Sequence, residues 1–186
     1  MKNIFEFHPG IINGWIFLVI FLLVNIIFIL QFPKHFSKRL FELPPFQTKL
    51  QFIISVFYAL SLNSTMLYSI FVSIKTNGIG IWIGSSIFAI SIVLFSIALI
   101  NYATTNPNMP VTKGIYKLTR NPQQVFAGLM WIGAGIAMQS YIIIISFSIQ
   151  FVLLYPSLLA QEKFCINKYG NQYKHYMKST PRYLFI

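Results

Sequence analysis

Residues 121–161 read NPQQVFAGLMWIGAGIAMQSYIIIISFSIQFVLLYPSLLAQ, forty-one consecutive positions without a charge. As a single helix they would run roughly 60 Å at 1.5 Å per residue, about twice the thickness of a bilayer's hydrocarbon core. The apolar part, Val125–Ala160, therefore reads as two short spans. Their break falls near Met138-Gln139-Ser140-Tyr141, the most polar point in the run. A tight helical hairpin in a membrane follows; the chief alternative is four spans in all, with part of this stretch re-entrant.

Three more uncharged runs lie upstream, at 7–33, 50–74 and 76–112. About 20 apolar residues cross the hydrocarbon as a helix. The runs give spans near Ile11–Gln31, Leu50–Ile74 and Ile79–Tyr102. The polar remainder of the third run, Asn101 to Pro110, is loop. The expected fold is thus all-α, a multi-span transmembrane bundle of about five spans within one integral membrane domain, 1–186. Composition agrees, with 56% hydrophobic and 9% charged residues. A soluble domain carries about 25% charge, so this exterior must meet lipid.

Fourteen Lys and Arg stand against Glu6, Glu42 and Glu162, with no Asp. With five spans, the segments 32–49, 103–122 and the tail after 161 share one side and hold twelve of the fourteen cations. Such a bias marks the cytosolic face. The cations fall between apolar runs rather than in one patch, which points to lipid headgroups and away from nucleic acid. Met1–Gly10 holds both Lys2 and Glu6, and no small-residue cleavage site follows, so no removable leader is expected. Lone Cys165 excludes an internal disulfide. His8, His35 and His175 have no ligand spacing to one another or to Cys165, so no metal is expected. Without Asp there is no Asp-based triad, and no phosphate-cradling glycine motif is present.

The polar information sits in 101–124 and 161–186, two segments on the cation-rich side. Gly114-Ile-Tyr116 combines a backbone bend with an amphipathic ring. Arg120-Asn121-Pro122 opens the fourth span, where Pro is tolerated because a first-turn amide lacks an intrahelical partner. A snorkelling Arg, an N-cap Asn and an interfacial Tyr would account for these residues equally well. Glu162 is the sole acid in the last 144 residues. An acid at a membrane boundary normally has a cationic partner, and Arg120 is the natural one. The tail beyond it, with Phe164, Tyr169, Tyr173, Tyr176 and interleaved lysines, reads as an amphipathic interfacial helix interrupted at Gly170.

Gly114-Ile-Tyr116, Arg120-Asn-Pro-Gln-Gln124, Gln161-Glu162, Tyr169-Gly-Asn-Gln-Tyr-Lys-His-Tyr176 and Pro181-Arg182 occur in that order around a hairpin. The set resembles the isoprenylcysteine carboxyl methyltransferase and phospholipid methyltransferase family, over about the last 85 residues. The resemblance implies S-adenosylmethionine as cofactor and a lipid-like or small apolar methyl acceptor. It assigns cofactor contacts to Asn101, Asn108, Met109, Pro110, Val111, Tyr116, Asn121, Pro122, Gln123, Gln124 and Gln161. Arg120 and Glu162 are the candidate catalytic pair. Gln124 stands where the family pattern has Tyr, Gln161 where it has the first Glu of a pair, and Ser157 where isoprenylcysteine enzymes carry Arg. Those departures point away from isoprenylcysteine. The stretch Glu162 to Gly170 also looks like the tail of NADPH-dependent sterol reductases; that reading, and a non-catalytic membrane protein retaining the fold, are the alternatives.

Overall fold

In a computed structural model the chain is described at residues 11–32, 34–40, 42 and 45–184. Helix α1 spans Trp15–Gln31, α2 Lys34–Leu40, α3 Lys49–Ser69 and α4 Ile79–Ala103. A 3-10 turn at Gly114–Lys117 precedes α5, Pro122–Ala137, α6, Tyr141–Leu153, α7, Tyr155–Tyr169, and α8, Asn171–Ser179. The architecture is a multi-span membrane helical bundle. The helices Lys49–Ser69, Ile79–Ala103 and the joined run Tyr141–Tyr169 are long and apolar enough to cross a membrane, and Trp15–Gln31 is a shorter apolar helix. Large apolar side chains point outward along each, among them Leu23, Ile27, Phe57, Leu60, Ile90, Val93, Ile149 and Val152. Water would penalise such a surface; hydrocarbon does not.

The expected hairpin is present, broken where polarity peaks. Gln139 takes φ +52°, reversing the chain, and Ser140 caps α6 by accepting from the Ile143 amide at 3.5 Å. Pro122 occupies the first turn of α5, as anticipated. Beyond Leu153, Pro156 lacks an N–H, so the helix is interrupted at Leu154 and resumes as α7. Glu162 is thereby carried clear of the apolar bundle on an extension of α6.

Two helix ends differ from the pattern-based spans. α1 begins at Trp15 rather than Ile11, and α3 stops at Ser69 rather than Ile74. The missing residues pair with each other: Gly14 N donates to Val72 O at 2.9 Å, Ile74 N to Ile12 O at 3.0 Å, and Asn13 bridges Ser73. Hydropathy reads those residues as span because they are apolar; their backbone amides are instead satisfied across two turns.

α4 and α5 form the most extensive helix pair. Their backbones touch at Gly84 and Gly133: a Cβ on Gly84 would strike the Ala137 amide and the Gly133 carbonyl, and one on Gly133 would strike Gly84 O and Phe88 N. Hydrocarbon offers spans no hydrophobic drive to associate, so close backbone approach at small residues supplies the contact energy. Around this seam lie Phe17, Phe88, Met130, Trp131 and Phe147, all buried, with Trp131 stacked on Phe147 at 5.3 Å. A second apolar cluster, with Phe36, Phe95, Leu99, Ile115, Tyr116 and Phe126, closes the cation-rich end.

Candidate functional site

That end is a cap, in which α2, the 101–121 connection, the start of α5, α7 and α8 line a polar chamber of about 150 Å3. Its floor is the start of α5, through Asn121, Gln123 and Gln124; Tyr102 and Tyr116 form one wall, and Gln161, Cys165 and Tyr169 the opposite one. Tyr116 is positioned by the turn that carries it. Gly114 takes φ +58°, and the Asn101 carboxamide oxygen occupies the space a Cβ would need while accepting from the Ile115 amide at 3.1 Å. Only glycine satisfies both demands.

At the chamber's edge Glu162 is 4% exposed and sits between two arginines. Arg120 Nη2 lies 3.0 Å from Oε1; Arg182 donates through Nε to Oε1 at 2.9 Å and through Nη2 to Oε2 at 2.7 Å. The second pair is bidentate, the strongest geometry for a carboxylate and guanidinium. Arg182 is latched by its backbone as well. Its carbonyl accepts from Thr119 Oγ1 at 2.8 Å and Asn121 Nδ2 at 3.0 Å, while Arg120 N donates to Pro181 O at 2.9 Å. The hydrogen bond to Glu162 is the chief reason the Arg182 guanidinium is held further above its ordinary pKa. Three formal charges sum here to +1. Arg120 Nη1 donates to Met177 O, but its buried Nε has no partner among the described residues.

Arg39 closes the chamber from the α2 side. Its Nη2 donates to Met109 O at 2.9 Å and to the Tyr169 hydroxyl at 3.0 Å, with the guanidinium 4.7 Å from the Tyr102 ring centroid. Tyr176 donates to Tyr116 O, and Gln123 Nε2 donates to Tyr116 Oη at 3.0 Å. Burial pushes the Tyr116, Tyr173 and Tyr176 phenols above the usual tyrosine range, so they remain neutral donors.

Of the residues expected to meet the cofactor, the chamber gathers Pro110, Val111, Tyr116, Asn121, Gln123, Gln124 and Gln161, together with Arg120. Asn101 lies beneath the turn as its support. Asn108 and Met109 are exposed, and Pro122 is buried as the first residue of α5. The tail is helical and two-faced, as expected, with Lys174 and Lys178 exposed on the side away from the chamber. Gly170, at φ +57°, breaks it, and α8 buries Tyr173 and Tyr176 against the chamber. Sequence reasoning named Arg120 as partner to Glu162 but not Arg182, and treated Arg39 as a topology cation. Arg182 carried a signal, the Pro-Arg pair of the tail motif. Arg39 carried none, because its partners are 63 to 130 residues away. Ser157 bonds Ser55 at 2.6 Å, tying α7 to α3.

Beneath the floor lies a second cavity of about 210 Å3, within the bundle and mainly apolar. Phe21, Leu62, Phe95, Trp131, Phe147 and Phe151 form its walls. Gln123 and Gln124 line it too, so the two spaces share one boundary.

The membrane bundle is thus capped by a polar chamber, and the apolar cavity below it shares the Gln123 and Gln124 side chains as a boundary. The phospholipid methyltransferase family model matches residues 68–172, and the chain belongs to that family, the membrane methyltransferases. No curated protein matches significantly, and neither does any solved structure.

Proposed function

We propose that the chain transfers a methyl group from S-adenosylmethionine to a lipid-like or small apolar acceptor, with the polar chamber holding the cofactor and the apolar cavity the acceptor. The observation that carries this reading is the shared boundary at Gln123 and Gln124. A polar reactant entering from water and an apolar one entering between helices meet there and nowhere else described.

The chemistry of the chamber's residues fits the cofactor, whose bulk requires the cap to open beyond the 150 Å3 it holds here. Arg120 Nε is a buried donor without a partner, in a cluster of surplus positive charge, and suits the methionyl carboxylate. The Tyr102, Tyr116 and Tyr169 rings offer faces to adenine and ribose, and Gln161 and Asn121 supply amides that read polar groups. When bound, the cofactor supplies a methyl group activated on a sulfonium. The chain's own contribution is alignment and exclusion of water. Gln123 is fixed by Tyr116, and Arg39 with α8 roofs the chamber. Both Glu162 oxygens are engaged by guanidinium groups, so Glu162 positions Arg120 and Arg182 rather than moving a proton. Arg120 is the member of the pair that reaches the cofactor. The cap faces the cytosol, on the side of twelve of the fourteen cations.

Calorimetric titration of the detergent-solubilised protein tests the cofactor. S-Adenosylmethionine should bind and NADPH should not; Gln161→Leu should weaken binding by about 1–3 kcal/mol through unpaired polar groups. No binding to wild type, or equal binding of NADPH, would sink the reading. For orientation, cysteines introduced at exposed Thr76 and Lys178 should be labelled from opposite sides of sealed vesicles; labelling from one side would overturn it.

A further inference from the structure

The apolar cavity contains one polar side chain that its packing does not explain. Gln150, on α6, is 2% exposed and lines the cavity at the level of Gly128. Its Nε2 donates to Ser61 Oγ at 3.2 Å and Thr65 Oγ1 at 3.1 Å. Those bonds to α3 are ordinary interhelical glue. The carboxamide oxygen is different: it is buried and has no partner among the described residues. With its hydroxyl hydrogen on Ser61 O at 2.9 Å, Thr65 accepts from Gln150, and the amide nitrogen is turned toward α3. The oxygen is the polar atom left over on a side chain that lines the cavity.

We infer that the cavity is built for a small apolar molecule bearing an O–H or N–H donor that bonds Gln150 Oε1. An unmet acceptor in hydrocarbon costs free energy, whereas a donor-bearing occupant satisfies it and the ring walls take the rest. A cavity of roughly 150 Å3 takes benzene; at about 210 Å3 this one takes a single substituted ring or a short branched chain. Position along the hairpin places the donor. Counting from the turn at 138–140, Gln124 stands roughly 20 Å up α5 and Gln150 roughly 14 Å up α6. The donor thus lies about 6 Å below the boundary where the two cavities meet. That this occupant is the methyl acceptor rests on the function proposed above; that the cavity selects a donor does not. On that reading the acceptor carries two polar groups, the one methylated at Gln123 and Gln124 and a second, one turn deeper, that is read by Gln150.

Trp131 lines the cavity, so its fluorescence reports occupancy once the exposed Trp15 and Trp82 are replaced by Phe. The probes are para-propylphenol, para-propylanisole and propylbenzene, titrated without any cofactor and corrected for partition into micelles. The phenol should bind about three- to tenfold tighter than the other two, the return on one buried hydrogen bond. Gln150→Leu should erase that preference while leaving propylbenzene binding in place. Equal affinities in wild type, or a preference that survives Gln150→Leu, would overturn the inference. If the variant does not fold, the three-probe comparison on the Gln150 protein decides alone. Phenol selectivity without S-adenosylmethionine binding would keep the site and remove only its assignment to the acceptor.

Discussion

The α4–α5 seam and the cap hold together by opposite means. In the seam, Gly80 and Gly84 on α4 face Gly133, Ala137 and Gln139, and nothing larger than a methyl group separates the backbones where Gly84 meets Gly133. In the cap, long side chains from α2, the 101–121 connection, α7 and the 180–183 segment reach across to one another, and a single carboxylate sits between the two arginines. Lipid rewards close packing and penalises charge; the water boundary permits charge and leaves packing less decisive. One chain thus changes its method of cohesion within a few residues of Gln123. The seam should be sensitive to added volume, and the cap to the removal of a charge.

The sharpest test is Glu162→Gln. Removing the carboxylate strands two guanidinium groups, one of them 8% exposed, and a broken buried pair costs about 3–5 kcal/mol. Hydrogen exchange should show 171–184 released while α4 and α5 stay protected; equal loss in both regions would erase the distinction. Gly133→Val comes next. Its added atoms meet backbone rather than a movable side chain, so overpacking should cost about 1–3 kcal/mol. Thermal unfolding followed by Trp131 fluorescence should fall, with exchange rising first in the spans.

Asn121→Ala should cost only about 1 kcal/mol, because Thr119 Oγ1 still donates to the Arg182 carbonyl. A loss as large as that of Glu162→Gln would mean the latch, not the ion cluster, holds the cap. Smallest of all is Lys168→Ala. The Lys168–Glu42 pair lies at 3.1 Å but is about one-third exposed, and such pairs contribute a few tenths of a kcal/mol. A melting temperature within error of wild type is the expected result.

These two regions were unequally legible in the sequence. Spans follow from uncharged runs, because lipid filters on hydropathy, and the hairpin's break follows from Gln139 and Ser140. The places where hydropathy overran are those where apolar residues serve a non-helical purpose, as at Ile12 and Ile74. The seam's Gly84–Gly133 contact is invisible to a hydropathy reading, since glycine contributes almost nothing to it. In the cap, the motif residues Tyr116, Asn121 and Gln161 marked the chamber, but its second arginine and its Arg39 roof depend on folding distant segments together. Gln150 carries no signal of its own in the sequence. Its meaning lies in which of its two polar atoms is satisfied, and that is a property of α3, some 85 residues earlier.

The Arg182 latch bears on how the protein is made. Its partners Thr119, Arg120 and Asn121 precede α5, whereas Arg182 follows both arms of the hairpin, so the latch joins two stretches of chain that the last spans hold apart in sequence. The contact that fixes the cap can form only after the spans it caps have been threaded, and assembly of the site is thus ordered after insertion by the chain itself.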